Sequence, residues 1–169
     1  MSMPVVSEQA GGGSWHRRLS ARCAVGAAHV LAKLPPRRLR RVLRAASRGA
    51  RPATAARTLE ARTSVVAVSA WCAGQGCLER SVATALLCRL RGVWPDWCTG
   101  VRTRPFRAHA WVEAEGRPIG EPDDTGLFRA VMSVRHPASA PAAPAGPAAP
   151  TGTSSGDASG DAPAPERSR

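Results

Sequence analysis

Cys77, His109 and Glu121 are a thiol, an imidazole and a carboxylate met in that order along the chain. Brought together, these three side-chain types can make a thiol reactive. At neutral pH a free thiol is mostly protonated and a poor nucleophile. Cys77 follows Gly74-Gln75-Gly76 and opens an apolar-periodic run, so it is expected at the first turn of a helix, where unpaired N–H groups carry partial positive charge. An imidazole within reach takes the thiol proton and leaves a thiolate–imidazolium pair. A carboxylate behind the ring holds it in the productive tautomer. The backbone N–H groups of Gly76 and Cys77, together with the Gln75 side chain, are the candidate donors to an oxyanion formed on attack. Taken singly, each residue has a plainer reading. Cys77 reads as a small core residue, His109 as a structural histidine beside Trp111, and Glu121 as part of an acidic loop with Asp123 and Asp124.

Positioning such a trio takes a helix packed against a hairpin, and the pattern predicts both. Val82, Leu86 and Leu90 repeat every four residues, widened by Leu78, Ala83 and Leu87, which predicts a helix over 77–90 with Gly92 just past its end. Val93 to Val101 holds two tryptophans and Pro95, the pattern of an irregular strand at a sheet edge. Phe106 to Glu115 alternates, with Arg107, His109, Trp111 and Glu113 on one face and Ala108, Ala110 and Val112 on the other. A three-residue loop Ala114-Glu115-Gly116 would pair Glu113 with Arg117 and His109 with Glu121. A two-residue loop would shift the pairing by one residue and turn Glu121 away.

Upstream, three helices are expected. The first runs over 15–34, with Leu19, Cys23, Gly26, Val30 and Leu34 on one side, and Pro35-Pro36 ends it. The second covers 37–48 and buries Leu39, Val42 and Leu43. The third runs from Pro52 to about Ala73, with Leu59, Val66 and Ala70 on a stripe that Val65 and Val68 widen. Helices followed by a small antiparallel sheet make the fold class α+β.

Composition bounds the rest. Residues 1–14 end in Gly-Gly-Gly-Ser and read as a flexible start, and 136–169 as a disordered Pro/Ala/Gly-rich tail, leaving one domain over 15–135. The net charge is +12, Lys33 is the single lysine, and no acidic residue occurs between Trp15 and Arg57. Such a run suits an acidic partner, nucleic acid or an anionic surface, but no nucleic-acid motif accompanies it, and two Phe with no Tyr offer little for base stacking. Nucleic acid is therefore not expected as a partner. Five cysteines is an odd count without a Cys-x-x-Cys pair, and no secretory signal or membrane span is legible. Free thiols in the cytoplasm are expected, with no metal and no cofactor.

Several blocks resemble the lasso-peptide leader peptidases, small cysteine proteases of the transglutaminase-like superfamily. They are Cys-Leu-Glu-Arg-Ser at 77–81, Cys-Arg-Leu-Arg-Gly at 88–92, Gly-Val-Arg at 100–102, Phe-Arg-Ala-His-Ala-Trp-Val-Glu at 106–113 and Gly-Arg-Pro-Ile-Gly-Glu at 116–121. The resemblance spans about Arg37 to Val134 and implies a papain/transglutaminase-like fold. It maps a Cys-His-Asp/Glu triad onto Cys77, His109 and Glu121, with glutamate where the family more often has aspartate. It implies removal of the leader from a ribosomally made precursor peptide. A separate leader-recognition protein would deliver that substrate, and an ATP-dependent macrolactam cyclase would close the released core. Two other readings stay open, a transglutaminase-like acyl transferase and a non-catalytic basic binding module. Cys77→Ala separates the latter, because a binding module would keep its activity.

Overall fold

Helix α5 (Cys77–Leu90) is the element around which everything else packs in this computed structural model, which describes residues 13–139. The outer parts of both termini, 1–12 and 140–169, lie outside the described residues. Before α5 come α1 (Gly13–Ala32), α2 (Pro36–Ser47), the short strand β1 (Arg51–Pro52), α3 (Ala55–Val68) and the single turn α4 (Ala70–Ala73). After it come β2 (Val93–Trp94), β3 (Asp96–Thr103), β4 (Phe106–Ala114), β5 (Arg117–Pro118), a 3-10 turn (Asp123–Leu127) and β6 (Arg129–Val134). The main sheet is antiparallel in the order β5-β4-β3-β6, while β1 and β2 form a separate two-residue parallel pair. The α+β class holds.

The helix over 77–90 has the expected bounds, but its surroundings are more enclosing than the leucine repeat implied. Ser81, Val82, Ala83, Thr84, Ala85, Leu87 and Cys88 are all buried, whereas Leu90, counted on the core stripe, is 67% exposed at the helix end. Burial on all sides requires the hydroxyls to be satisfied from within. Thr84 Oγ1 donates to the Arg80 carbonyl at 2.8 Å, Ser81 Oγ donates to that of Leu78 at 2.9 Å, and the Trp97 indole donates to Ser81 Oγ at 3.0 Å. Trp94 and Trp97 close the core on the sheet side, and full burial of a large apolar side chain contributes about 1.5–3 kcal/mol.

The upstream helices bury different faces from those expected. In α1 the inward residues are Ala21, Ala24, Val25 and Ala28, while Leu19, Cys23 and Val30 point outward. Small side chains let α1 approach α3 and α5 closely, so the alanines form the interface and the larger residues stay outside. In α2 the buried pair is Leu39 and Leu43, and Val42 faces solvent. Pro36 occupies the first turn of α2, as expected. The third helix is two pieces, broken at Ser69, whose side chain caps α4 by accepting from the Cys72 N–H. Its inward stripe is Thr58, Ala61 and Val65, with Leu59 exposed. Thr58 is tolerated inside because its hydroxyl donates to the Thr54 carbonyl at 2.9 Å.

Strand β3 is also placed differently. Pro95 separates β2 from β3 at the point where the chain leaves the two-stranded pair, and β3 then runs between β4 and β6 as an interior strand. The proline costs no ladder bond there, because it belongs to neither strand.

Candidate active site

Cys77 is the first residue of α5 and is half-buried. His109 lies in β4 opposite Gly100 of β3. That glycine is a packing requirement, since a Cβ there would sit 2.5 Å from the Arg129 carbonyl oxygen and 2.9 Å from the Trp111 ring. With the space open, Trp111 stacks beside His109 at 5.9 Å and 11° between planes, and Phe128 stands on the ring at 5.3 Å. The imidazole is thereby fixed between two aromatics.

Glu121 reaches His109 by a route that the hairpin reasoning did not foresee. The turn has two residues, Glu115 and Gly116, both with positive φ (55° and 75°), the geometry in which the turn twist matches the strand twist. Ala114 therefore faces Arg117, and Glu113 faces Pro118, which is the shifted register that should have turned Glu121 away. The shift has no such consequence, because β5 is only two residues long. After the Ile119 N–H donates to the Val112 carbonyl at 3.0 Å, Gly120 adopts φ +65° and takes the chain off the ladder. Glu121 then folds back so that its Oε2 lies 2.9 Å from His109 Nε2.

Two arginines, neither assigned a role from sequence, hold that carboxylate from behind. Arg62 of α3 places Nε 3.2 Å from Glu121 Oε1, and Arg80 of α5 places a guanidinium nitrogen 3.5 Å from Oε2. Arg80 is itself buried and also donates to the carbonyls of Cys72 (3.0 Å) and Gly74 (3.4 Å), the loop just ahead of Cys77. One guanidinium thus links the nucleophile loop to the carboxylate. Arg80 stands one helical turn after Cys77, on the same side of α5. That spacing was the available signal, masked by so many solvated arginines.

The electrostatics follow from these contacts. The hydrogen bond with His109 lowers the Cys77 thiol pKa against the opposing effect of burial, assisted by the backbone at Ala110 and the charge of Arg80. His109 is raised to about 9 by its hydrogen bonds to Cys77 and then to Glu121. Burial pushes Glu121 upward, but the His109 hydrogen bond and the charges of Arg62 and Arg80 together outweigh it and hold the carboxyl below its ordinary range. With Nε2 on Glu121, Nδ1 is the nitrogen left for the thiol. A lowered thiol beside a raised imidazole favours the thiolate–imidazolium pair. The contrast with Cys88 and Cys98 is direct: burial, with neighbouring carboxylates adding to it, raises them to about 11 and about 12.

The backbone N–H groups named as oxyanion candidates make hydrogen bonds within the turn. The Cys77 N–H donates to the Gln75 carbonyl at 2.9 Å, and the Gly76 N–H to that of Trp71 at 3.0 Å. Both backbone donors are therefore occupied, and Gln75 is exposed. Among the described residues no group of three or more His, Cys, Asp and Glu side chains gathers as a metal site, and no helix is long and apolar enough to cross a membrane.

The family model of the transglutaminase-like superfamily matches residues 21–133. The chain belongs to the transglutaminase-like superfamily. The match takes in α1 from Ala21 through β6, so Cys77, His109 and Glu121 all lie within it. A transglutaminase-like domain with helices and an antiparallel sheet is the fold that the α+β pattern anticipated, and its activity is of the cysteine-protease or acyltransferase type. No curated protein and no solved structure matches this transglutaminase-like chain.

Proposed function

We propose that the chain is a cysteine peptidase that removes the leader from a ribosomally made lasso precursor peptide, with Cys77 as nucleophile, His109 as acid–base and Glu121 as the orienting carboxylate. The observation that carries the reading is the line of contacts from Cys77 through His109 to a carboxylate held by Arg62 and Arg80. The thiolate attacks the scissile carbonyl, and its S–C bond forms as the carbonyl π pair moves onto oxygen. Collapse breaks the C–N bond, and the His109 imidazolium delivers its proton to the departing amine. A water then gives its proton to the now neutral His109 and attacks the thioester, releasing the leader acid and the thiolate. Glu121 keeps Nε2 engaged throughout, leaving Nδ1 as the nitrogen that exchanges the proton. The core amine set free would pass to an ATP-dependent macrolactam cyclase.

The exposed arginine face of α2 (Arg37, Arg38, Arg40, Arg41) supports docking of a separate leader-recognition protein or of acidic leader residues. Charge of one sign without an acidic neighbour in the helix favours such a partner through long-range attraction. Incubating the chain and the recognition protein with the precursor peptide, followed by mass measurement, tests the reading. The wild-type chain should yield free leader and core, and Cys77→Ala neither; intact precursor with the wild-type chain would sink the peptidase assignment. A second reading, acyl transfer, has support from the family itself. It predicts a leader joined to an added amine at the mass of an amide, where hydrolysis gives the acid.

A further inference from the structure

Besides Glu121, two carboxylates are buried in the sheet, Asp96 at the start of β3 and Glu113 near the end of β4, and the steps at Cys77 use neither. They are partners across the β3–β4 ladder and share one cation: Arg135 lies 3.6 Å from Asp96 Oδ2 and 3.2 Å from Glu113 Oε2. Taking a carboxylate out of water costs free energy unless its contacts offset it, so the contacts point to its use. Asp96 Oδ1 accepts from the His136 N–H (2.7 Å) and the Ser139 hydroxyl (2.8 Å), which ties down the chain after β6. Glu113 Oε1 instead accepts the indole N–H of Trp111 at 2.8 Å. Positions 109, 111 and 113 share one face of β4, and the indole stacks beside the His109 imidazole at 5.9 Å with 11° between planes. The indole is held at both ends. Its six-membered ring rests over Gly100, where a Cβ would come within 2.9 Å, and its N–H is held by Glu113. The second side-chain torsion of tryptophan has a broad, shallow profile, so the hydrogen bond selects one orientation from it.

We infer that Glu113 is a positioning residue for His109: by holding the Trp111 indole it fixes the ring against which the imidazole leans, and with it the reach of the imidazole to the Cys77 sulfur. Arg135 pins Oε2, so that Oε1 is left for the indole. A stacked neighbour can set the tilt of the imidazole only if that neighbour is itself fixed, and Glu113 supplies the fixing.

This inference rests on acylation at Cys77 through His109 and not on the identity of the peptide, so the probe is p-nitrophenyl acetate, with the burst of nitrophenolate as readout. The burst amplitude counts folded sites, and the burst rate reports on each one. Glu113→Leu fills similar space without an acceptor, and its burst rate should fall about 10- to 100-fold at unchanged KM, the size expected of a misplaced catalytic group. Glu113→Gln keeps an oxygen for the indole and loses the pairing with Arg135, so its burst rate should stay close to wild type while its urea midpoint falls. Trp111→Phe leaves no N–H to hold, and adding Glu113→Leu to it should cost nothing further, as for residues that act along one line. If Glu113→Leu does not fold, combining it with Arg135→Leu removes the unpaired cation and carries the same comparison.

Alkylation of Cys77 by iodoacetamide is the independent check. The titratable groups on the His109 ring are Cys77 from α5 and Glu121 from the loop after β5, with Arg62 and Arg80 behind Glu121 and Arg102 over the Phe128 ring. The variants alter none of these, so the acid limb of alkylation should move to higher pH in Glu113→Leu and stay in place in Glu113→Gln. A wild-type burst rate in the leucine variant would overturn the inference. So would a glutamine variant as slow as the leucine one, or additive losses with Trp111→Phe. A wild-type chain that is acylated yet leaves the precursor intact removes the peptidase reading alone. One that is not acylated at all removes both.

Discussion

Arginine is used in opposite ways in two parts of this molecule. On α2, Arg37, Arg38, Arg40, Arg41 and Arg44 stand in solvent, with no salt bridge among the described residues. Beneath the Cys77–His109 contact, Arg80 and Arg62 are drawn inward onto a carboxylate whose side chain is 2% exposed. The first group contributes field and solubility, because exposed charges are screened within about 8 Å at physiological ionic strength. The second sets a local protonation state, because charges taken out of water interact strongly and are costly to leave unpaired. A net charge of +12 therefore says little about the site, and two inward-turned cations, one of them buried, say a good deal.

Removing Arg80 should break this contrast most visibly. Arg80→Met keeps the length of the side chain but leaves Glu121 with one cation, and leaves the Cys72 and Gly74 carbonyls without their donor. Losing one partner of a buried pair costs about 3–5 kcal/mol, to be read from the urea unfolding midpoint. Arg62→Gln, at the more open edge of the pair, should cost less, roughly 1–2 kcal/mol. Equal small losses for both would mean that Glu121 is solvated in solution and the inward arginines do no more than those of α2.

A smaller effect is expected in the pH dependence. The reactive thiolate–imidazolium form exists between the lowered pKa of Cys77 and the raised value of His109, about 9. Alkylation at Cys77 should therefore persist below the range of an ordinary thiol, and acyl transfer should decline as pH rises through about 9. The stability contribution of His109 has the matching sign. Its folded pKa lies above the unfolded value, so the contribution is complete below the unfolded pKa and is lost as pH rises through the folded one. Glu121→Gln removes the negative partner, so the alkaline limb should move to lower pH, with Cys77 itself retained. An alkaline limb that stays in place would show that Glu121 does not set the state of the ring. Peptide mapping distinguishes Cys77 from the exposed Cys23.

How much of this was legible in the sequence depended on whether a signal was local. The helix over 77–90, the extent of β4 and the proline-started α2 rest on spacing within a few residues, and they could be read, although the burial of β4 runs from exposed to buried along the strand and does not alternate. The inward faces of α1 and α3 could not. Apolar counting favours Leu19, Val30 and Leu59, whereas close helix packing selected Ala21, Ala24, Ala28 and a self-satisfied Thr58. The hairpin shows a subtler failure. The loop was one residue shorter than expected, but the length of β5, which no pattern in 117–121 announces, decided where Glu121 points. Arg62 and Arg80 act through tertiary neighbours, and their type alone did not separate them from the other arginines.

The arginines of α2 test the other side of the comparison and should give the smallest physical change. Reversing Arg37, Arg38, Arg40 and Arg41 to glutamate alters side chains that face water. Leu39 and Leu43 keep α2 anchored. The thermal midpoint should stay within about 2 °C, since surface substitutions of this kind change stability little. Iodoacetamide alkylation of Cys77 should also stay unchanged, because screening leaves little of that field at the nucleophile. Processing of the precursor in the presence of the recognition protein should slow, and the slowing should shrink as salt is raised in the wild-type comparison. An unaltered processing rate would move the docking surface away from α2 and leave its arginines as solvating charge. A drop in the thermal midpoint would instead show that the helix depends on its charged face, and the division between outer and inner arginines would no longer hold.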